Sequence, residues 1–279
     1  MRFEISKVLD AIEARVCTDP ALARAVLDLA EIVRLADLDS GRPASLLRLG
    51  IVIDALGRQL EEDGIAVYPV VHRGLLSDAD LTSNERMVDR RWADDGLVEV
   101  LANPGERVLE LADLLGLPVL SRSRFDGVRD RYPWLTGQPG RLVAPLAGAG
   151  GAALVPRVGS NAMLTTAEPS PNGVKLLARL WRCPESGCAH FGGGGGGAFA
   201  DLARIDRRSS GQPPPTLRTG FPTCPRHDTP LTDAGPRPGT EVLSVRVGGQ
   251  IRRRFVVGAD QPVVVGRAPE ESDGVMLGQ

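Results

Sequence analysis

Residues 32 to 40 read IVRLADLDS, an apolar run ending in two aspartates separated by a leucine. Read as a strand, IVRLA (32–36) carries Asp37 and Asp39 to the rim of a sheet, whereas propensity alone would let a helix opened at Asp19-Pro20 run on through it. Upstream, Ile5, Val8, Leu9, Ile12 and Val16 recur at helical spacing. Downstream, Ala44 to Asp63 reads as a helix opened by Pro43 and stopped by Gly64, and IAVYPVV (65–71) as a β-rich run. Thr82 and Glu85 form a capping box for a helix carrying Met87, Val88 and Trp92. LVEVLA (97–102) is the next strand. Asn103-Pro104 starts a helix with Val108, Leu109, Leu111, Ala112 and Leu115 on one face, and PVLS (118–121) follows as a strand. Strands alternating with helices of this length predict an α/β fold with a parallel sheet, whose ligands bind at the carboxyl ends of the strands.

Composition narrows the function classes. The 279 residues are 42% hydrophobic, enough for at least one core, and the net charge of -2 gives no global attraction to phosphate. At 4% aromatic content, extended stacking on single-stranded nucleic acid is disfavoured, so any such contact is local. The N-terminus lacks the apolar stretch of a secretory signal and no run reaches membrane-spanning length, so a soluble, cytoplasmic protein with no membrane partner is expected. Residues 1–136 are patterned like a domain; 137–178 are rich in Gly, Pro and Ala and read as a linker; 179–234 and 241–279 read as two further small modules.

The segment Ser121-Arg122-Ser123-Arg124-Phe125, followed by Tyr132-Pro133-Trp134-Leu135, resembles the NYN/PIN-like ribonucleases of the Regnase branch over roughly residues 30–136. Those proteins end their first strand in Asp-x-x-Asn and later carry Ser-Asn-Asp-x-Phe or Ser-Arg-Asp-x-Phe. On this resemblance the first motif falls at Asp37-Leu38-Asp39-Ser40, which implies a PIN-like N-terminal domain. Mg²⁺ needs converging hard oxygens to activate water against a phosphodiester. Serine stands at 123 where the motif has aspartate, and Gly105-Glu106 replaces an acidic pair. Asp37, Asp39 and Asp126 are the catalytic candidates if the domain is active, with Glu106 and Asp130 as further acids. Otherwise the turn aspartates merely end secondary structure, and Arg122, Arg124, Arg129 and Arg131 grip RNA or a partner.

WRCPESGCAHF and FPTCPRHDTPL contain Cys183-x4-Cys188 and Cys224-x2-His227. Two short chelating pairs suit structural Zn²⁺, and a proline after each leading cysteine gives them the look of a zinc ribbon with a Gly-rich insert. His190 is a competing ligand. Cys17, on the first helix, reads as a buried hydrophobe. The last segment, with EVLSVRV (241–247), QIRRRFVV and PVVVGR, resembles the opening of a forkhead-associated domain, which implies a partial β-sandwich and a phosphate contact at Arg267. The first expectation is therefore a regulatory adaptor that binds a phosphothreonine protein if that sandwich is completed, or single-stranded RNA, with a degenerate nuclease-like domain. The alternative is a metal-dependent NYN/PIN-type endoribonuclease.

Overall fold

A computed structural model describes residues 2–157, 163–192, 211–258, 265–266 and 275–276. Helix α1 is Arg2–Glu13 and strand β1 is Ala23–Asp28. IVRLA is not the first strand: Leu29–Ile32 is a single helical turn, α2, and Ala36–Leu38 is a 3-10 turn. Nor does Asp19-Pro20 open a helix, because the Asp19 carboxylate accepts the Ala21 N–H at 2.9 Å and turns the chain into β1. The reason for the misreading is physical. Ala25 and Leu27 of β1 enter one core and Ala23 and Val26 the other, so no polar alternation marks the strand. Its alanines and leucine favour helix in isolation, and pairing on both sides overrides them.

The remaining elements are α3 (Leu47–Leu60), β2 (Ala66–His72), α4 (Ser83–Asp94), β3 (Glu99–Leu101), α5 (Pro104–Leu115), β4 (Val119–Leu120), α6 (Trp134–Gly137), β5 (Leu142–Gly148) and β6 (Gly151–Pro156). The Thr82 and Glu85 capping box forms as expected at the start of α4. The strands make one six-stranded sheet in the order β3-β2-β1-β4-β5-β6, with only β6 antiparallel to its neighbour. Strand order reverses at β1, which opens a crevice outside the carboxyl ends of β1 and β4. One face of the sheet is covered by a core drawing on Leu9 and Ile12 of α1, Leu49, Ile53 and Leu56 of α3, and Trp92 of α4. The other is covered by Val108, Leu111 and Leu115 of α5, with Trp134 and Leu176.

One boundary moves. The stretch 137–178, expected as a linker, supplies β5 and β6 to the sheet and then α7 (Pro171–Leu177) to its second face. Gly, Ala and Pro in LVAPLAG imitate a linker, yet small residues also suit a strand packed between neighbours. The cysteine-bearing segment consists of two antiparallel pairs: β7 (Arg179–Arg182) with β10 (Thr232–Pro236), and β8 (Thr216–Arg218) with β9 (Phe221–Thr223).

This segment is fastened to the α/β unit by Arg107, which is 4% exposed. Its Nε donates to Glu99 at 2.8 Å, and its other nitrogens donate to Glu110 at 2.7 Å and to the carbonyls of Pro214 and Pro215 at 2.5 and 3.3 Å. Tyr68 donates to the same Glu99 at 2.6 Å. Burial works against the Arg107 charge, but Glu99 and Glu110 hold its pKa above the ordinary value.

The C-terminal segment forms a hairpin, β11 (Thr240–Val247) and β12 (Gln250–Gly258), turned at Gly248 and Gly249, whose φ angles of 59° and 87° glycine adopts without strain. It packs on the end of α3: Asp63 N–H donates to the Ile251 carbonyl at 2.8 Å, and Arg254 donates to the buried Glu62 carboxylate at 2.5 Å. A short parallel pair joins Val265–Gly266 to Val275–Met276. The expected partial sandwich is not confirmed, since the partner of the hairpin is the α/β unit, and Arg267 lies outside the described residues. No helix among the described residues is long and apolar enough to cross a membrane.

Candidate functional site

Two places concentrate chemistry. The first is the crevice at the reversal of strand order. Asp28 closes β1 and caps α2, its Oδ1 accepting the N–H groups of Ala30 and Glu31 at 2.9 and 3.4 Å. Burial raises the Asp28 pKa, and the nearby Glu31 carboxylate raises it further, against the backbone donors and His72. Glu31 is clasped by the end of β4: it accepts Ser121 Oγ at 2.6 Å and the Arg122 backbone N–H at 2.5 Å. The Ser121 hydroxyl in turn accepts the Ser123 N–H at 3.0 Å. His72, at the end of β2, accepts the Gly74 N–H on Nδ1 at 3.1 Å. Its proton in the neutral form therefore sits on Nε2.

The acids singled out from the sequence do not meet. Asp37 accepts both terminal nitrogens of Arg122, at 2.9 and 2.7 Å, and this pairing holds its pKa below the ordinary carboxylate value. Asp39 accepts Nε of the fully buried Arg48 at 3.0 Å and the Gly41 N–H at 2.9 Å, so it stabilises a turn away from the crevice. Asp126 pairs with Arg129 at 2.8 Å on an exposed one-turn element, and Glu106 pairs with Arg131 at 2.7 Å. Tyr132-Pro133-Trp134-Leu135 is structural: Trp134 and Leu135 are buried in the second core, and the Arg141 guanidinium lies 4.2 Å from the Trp134 ring centre.

Asp28 and Glu31 were missed. A signal for them existed, because Asp followed three residues later by Glu ahead of an apolar pair is a helix-start signature. A cap at residue 28 is incompatible with a strand at 32–36.

The second place is the cysteine cluster. The ligand atoms of Cys183, Cys188, Cys224 and His227 all lie within 4.8 Å of one another, and among the described residues they are the only group of three or more metal-binding side chains so gathered. Cys188 and Cys224 sulfurs are 3.8 Å apart, and His227 Nδ1 is 3.5 Å from the sulfurs of both Cys183 and Cys224. Zinc bonds of about 2.3 Å to sulfur and about 2.0 Å to nitrogen give a tetrahedron with edges of about 3.8 and 3.5 Å. The spacing fits that ion, and it is far too long for a disulfide at about 2.05 Å.

Backbone turns make this convergence. Cys188 N–H donates to Glu185 O at 3.0 Å and Gly192 N–H to Cys188 O at 2.8 Å, while Asp228 N–H donates to Cys224 O at 2.8 Å. A side chain at Gly192 would lie 2.5 Å from the Ser186 carbonyl oxygen, so the first turn requires glycine there. The hydrogen bond from Cys224 and the nearby N–H groups of Phe191 and His190 pull the Cys188 thiol below its ordinary value, the direction that favours a thiolate. His190 is not among the gathered side chains. Its ring lies 3.6 Å from where a side chain at Gly96 would begin, and burial lowers its pKa.

No protein-family model matches the sequence, and no curated protein matches it. Several solved chains are similar in part, among them two of one plant protein. One is the crystal structure of nuclear proteinaceous RNase P 2 (PRORP2) from Arabidopsis thaliana, 15% identical, with a TM-score of 0.40 over 60% of this chain and 38% of that one. The other is Arabidopsis thaliana nuclear protein-only RNase P 2 (PRORP2), 17% identical, with a TM-score of 0.35 over 54% of this chain and 33% of that one. The chain thus spans between a third and two fifths of the length of the structures it matches. With TM-scores below 0.5, neither likeness bears on what this chain does.

Proposed function

We propose that the chain carries an NYN/PIN-like endoribonuclease domain, whose crevice between β1 and β4 takes single-stranded RNA and a divalent cation such as Mg²⁺, joined to a module held by structural zinc. The observation that carries this reading is Asp28. It supplies the strand-ending aspartate that the resemblance requires, with Glu31 in place of the asparagine in Asp28-Leu29-Ala30-Glu31, so the motif belongs here and not at Asp37. Asp28 Oδ1 takes both backbone hydrogen bonds, leaving Oδ2 as a hard oxygen for a ligand. Two carboxylates suffice for Mg²⁺, which keeps several waters and takes further oxygens from a phosphate. The ion would supply polarisation of a phosphoryl oxygen and an activated water. The chain's own part is to hold it with Asp28 and Glu31, and to fix Glu31 through Ser121 Oγ and the Arg122 N–H. Cys183, Cys188, Cys224 and His227 would hold the zinc.

A recognition-only form of the same site is favoured by Ser123, which stands where the motif of the second strand end has aspartate. The adaptor reading through Arg267 draws no support from the described residues. Incubating the purified chain with single-stranded RNA and Mg²⁺ or Mn²⁺ separates these readings. Cleavage is expected, lost in Asp28→Asn and retained in Asp39→Asn. Binding without cleavage selects the recognition-only form, and an Asp28→Asn variant that cuts like the native chain removes the nuclease reading altogether.

A further inference from the structure

The Arg122 to Asp37 pair lies beside the crevice and has a geometry unlike the other ion pairs of that rim. Arg122 Nε is tied to the Pro145 carbonyl of β5 at 2.7 Å, and its backbone N–H is tied to Glu31 at 2.5 Å. The guanidinium is therefore held on β5 through Nε, and its backbone on α2 through Glu31, so its terminal nitrogens are placed together. Its two remaining nitrogens face outward together and grip both oxygens of Asp37, at 2.9 and 2.7 Å. Asp37 comes from a 3-10 turn and keeps about half of its side chain exposed, at 49%, against 28% for Arg122. The arginine is tied to β5 at Pro145, and Asp37, on its short turn, also takes backbone N–H groups at its own residue and at Ala147.

A planar fork that accepts a carboxylate in two parallel bonds accepts a phosphodiester in the same way. The geometry points to Arg122 as the group that binds a substrate phosphate beside Asp28, with Asp37 as a built-in stand-in that occupies the fork until RNA displaces it. This rests on the reading of the crevice as an RNA site, and it gives Asp37 a role opposite to that of a metal ligand. Removing a ligand weakens the site, whereas removing a competitor strengthens it. Surface pairs are weak, which is what exchange requires: an anchored fork can pass from carboxylate to phosphate without leaving a buried charge bare.

The test is binding of a fluorescein-labelled single-stranded RNA in EDTA, so that cleavage does not enter, read by anisotropy across a salt series. Asp37→Asn is expected to tighten binding about threefold, the order set by the strength of an exposed pair. Arg122→Gln is expected to weaken it and to lower the salt slope by about 0.7, one phosphate contact to a single strand. Arg122→Lys keeps the charge and hence the slope, but loses affinity because the fork is gone. Asp126→Asn removes a nearby carboxylate that Arg122 does not touch and should leave affinity unchanged. Binding unaltered or weakened in Asp37→Asn overturns the proposal, as does equal tightening in Asp126→Asn, and so does a native chain and Asp37→Asn variant that both fail to bind. Cleavage is scored separately with Asp28→Asn in Mg²⁺. Tightening in Asp37→Asn without cleavage sinks the nuclease reading alone, and cleavage with an indifferent Asp37→Asn sinks this one alone.

Discussion

The cysteine cluster and the sheet edge are both polar sites built from distant pieces of chain, yet among the described residues only the cluster gathers three or more metal-binding side chains. At the cluster, two backbone turns aim three sulfurs and one ring nitrogen at a common point. At the edge, Asp37, Glu106 and Asp126 each hold a different arginine, and Glu31 holds Ser121 and a backbone N–H. The difference follows from the side chains. Thiols are weak hydrogen-bonding groups and gain little from arginine, so they assemble only where turns direct them. Carboxylates find partners wherever arginine is within reach, and a cation must compete with those partners.

The largest effect that would sharpen this contrast is at the cluster. Chelation of the metal or Cys224→Ser is expected to abolish stoichiometric zinc in elemental analysis and to lower the melting temperature by about 10 °C, as structural zinc contributes folding energy directly. A fully purified chain without zinc, melting as before, would remove the distinction between the two regions. Next comes the fastening between them. Arg107→Met strands Glu99 in the interior and should cost about 3–5 kcal/mol in urea denaturation.

A third region shows what a carboxylate does without a partner. Asp89 is 0% exposed, its oxygens take no hydrogen bond, and burial lifts its pKa to about 7, with Arg90 working the other way. Its unfolded value is near 3.8. Between these values the folded chain keeps the proton that the unfolded chain has released, so stability falls as pH rises through the window and levels off above about 7. The loss is at most about 4 kcal/mol, and Asp89→Asn should flatten the curve of denaturation midpoint against pH. At the small end, Glu31→Gln should cost about 1–2 kcal/mol, because the amide keeps an acceptor for only one of the two donors, the Arg122 N–H and the Ser121 hydroxyl, and that acceptor is weaker. A larger loss there would mean that the edge is as closed a site as the cluster.

Much of the fold was legible because its signals are local. The capping box at Thr82, Pro104 opening α5 and Gly116 closing it with φ of 70° are each dictated by neighbours in sequence. The four clustered side chains were legible for the same reason, since each Cys-bearing pair is a short turn. β1 was not, being buried on both faces and written in helix formers, and its loss moved the candidate aspartate from 28 to 37. β5 and β6 were hidden by a composition that strands and linkers share.

By itself the sequence determined the alternation of helices and strands and singled out the four side chains that the fold gathers into a group able to hold a metal, because caps, turns and chelating pairs are settled within a few residues. Only the tertiary structure decided which acids reach the crevice. Strand order and pairing are set by contacts between segments far apart in the chain, and a shift of one strand assignment exchanges every residue at its end. Whether a carboxylate stands open or closes on an arginine depends on which side chains the fold brings near it, as Asp28, Asp37 and Asp89 each show differently.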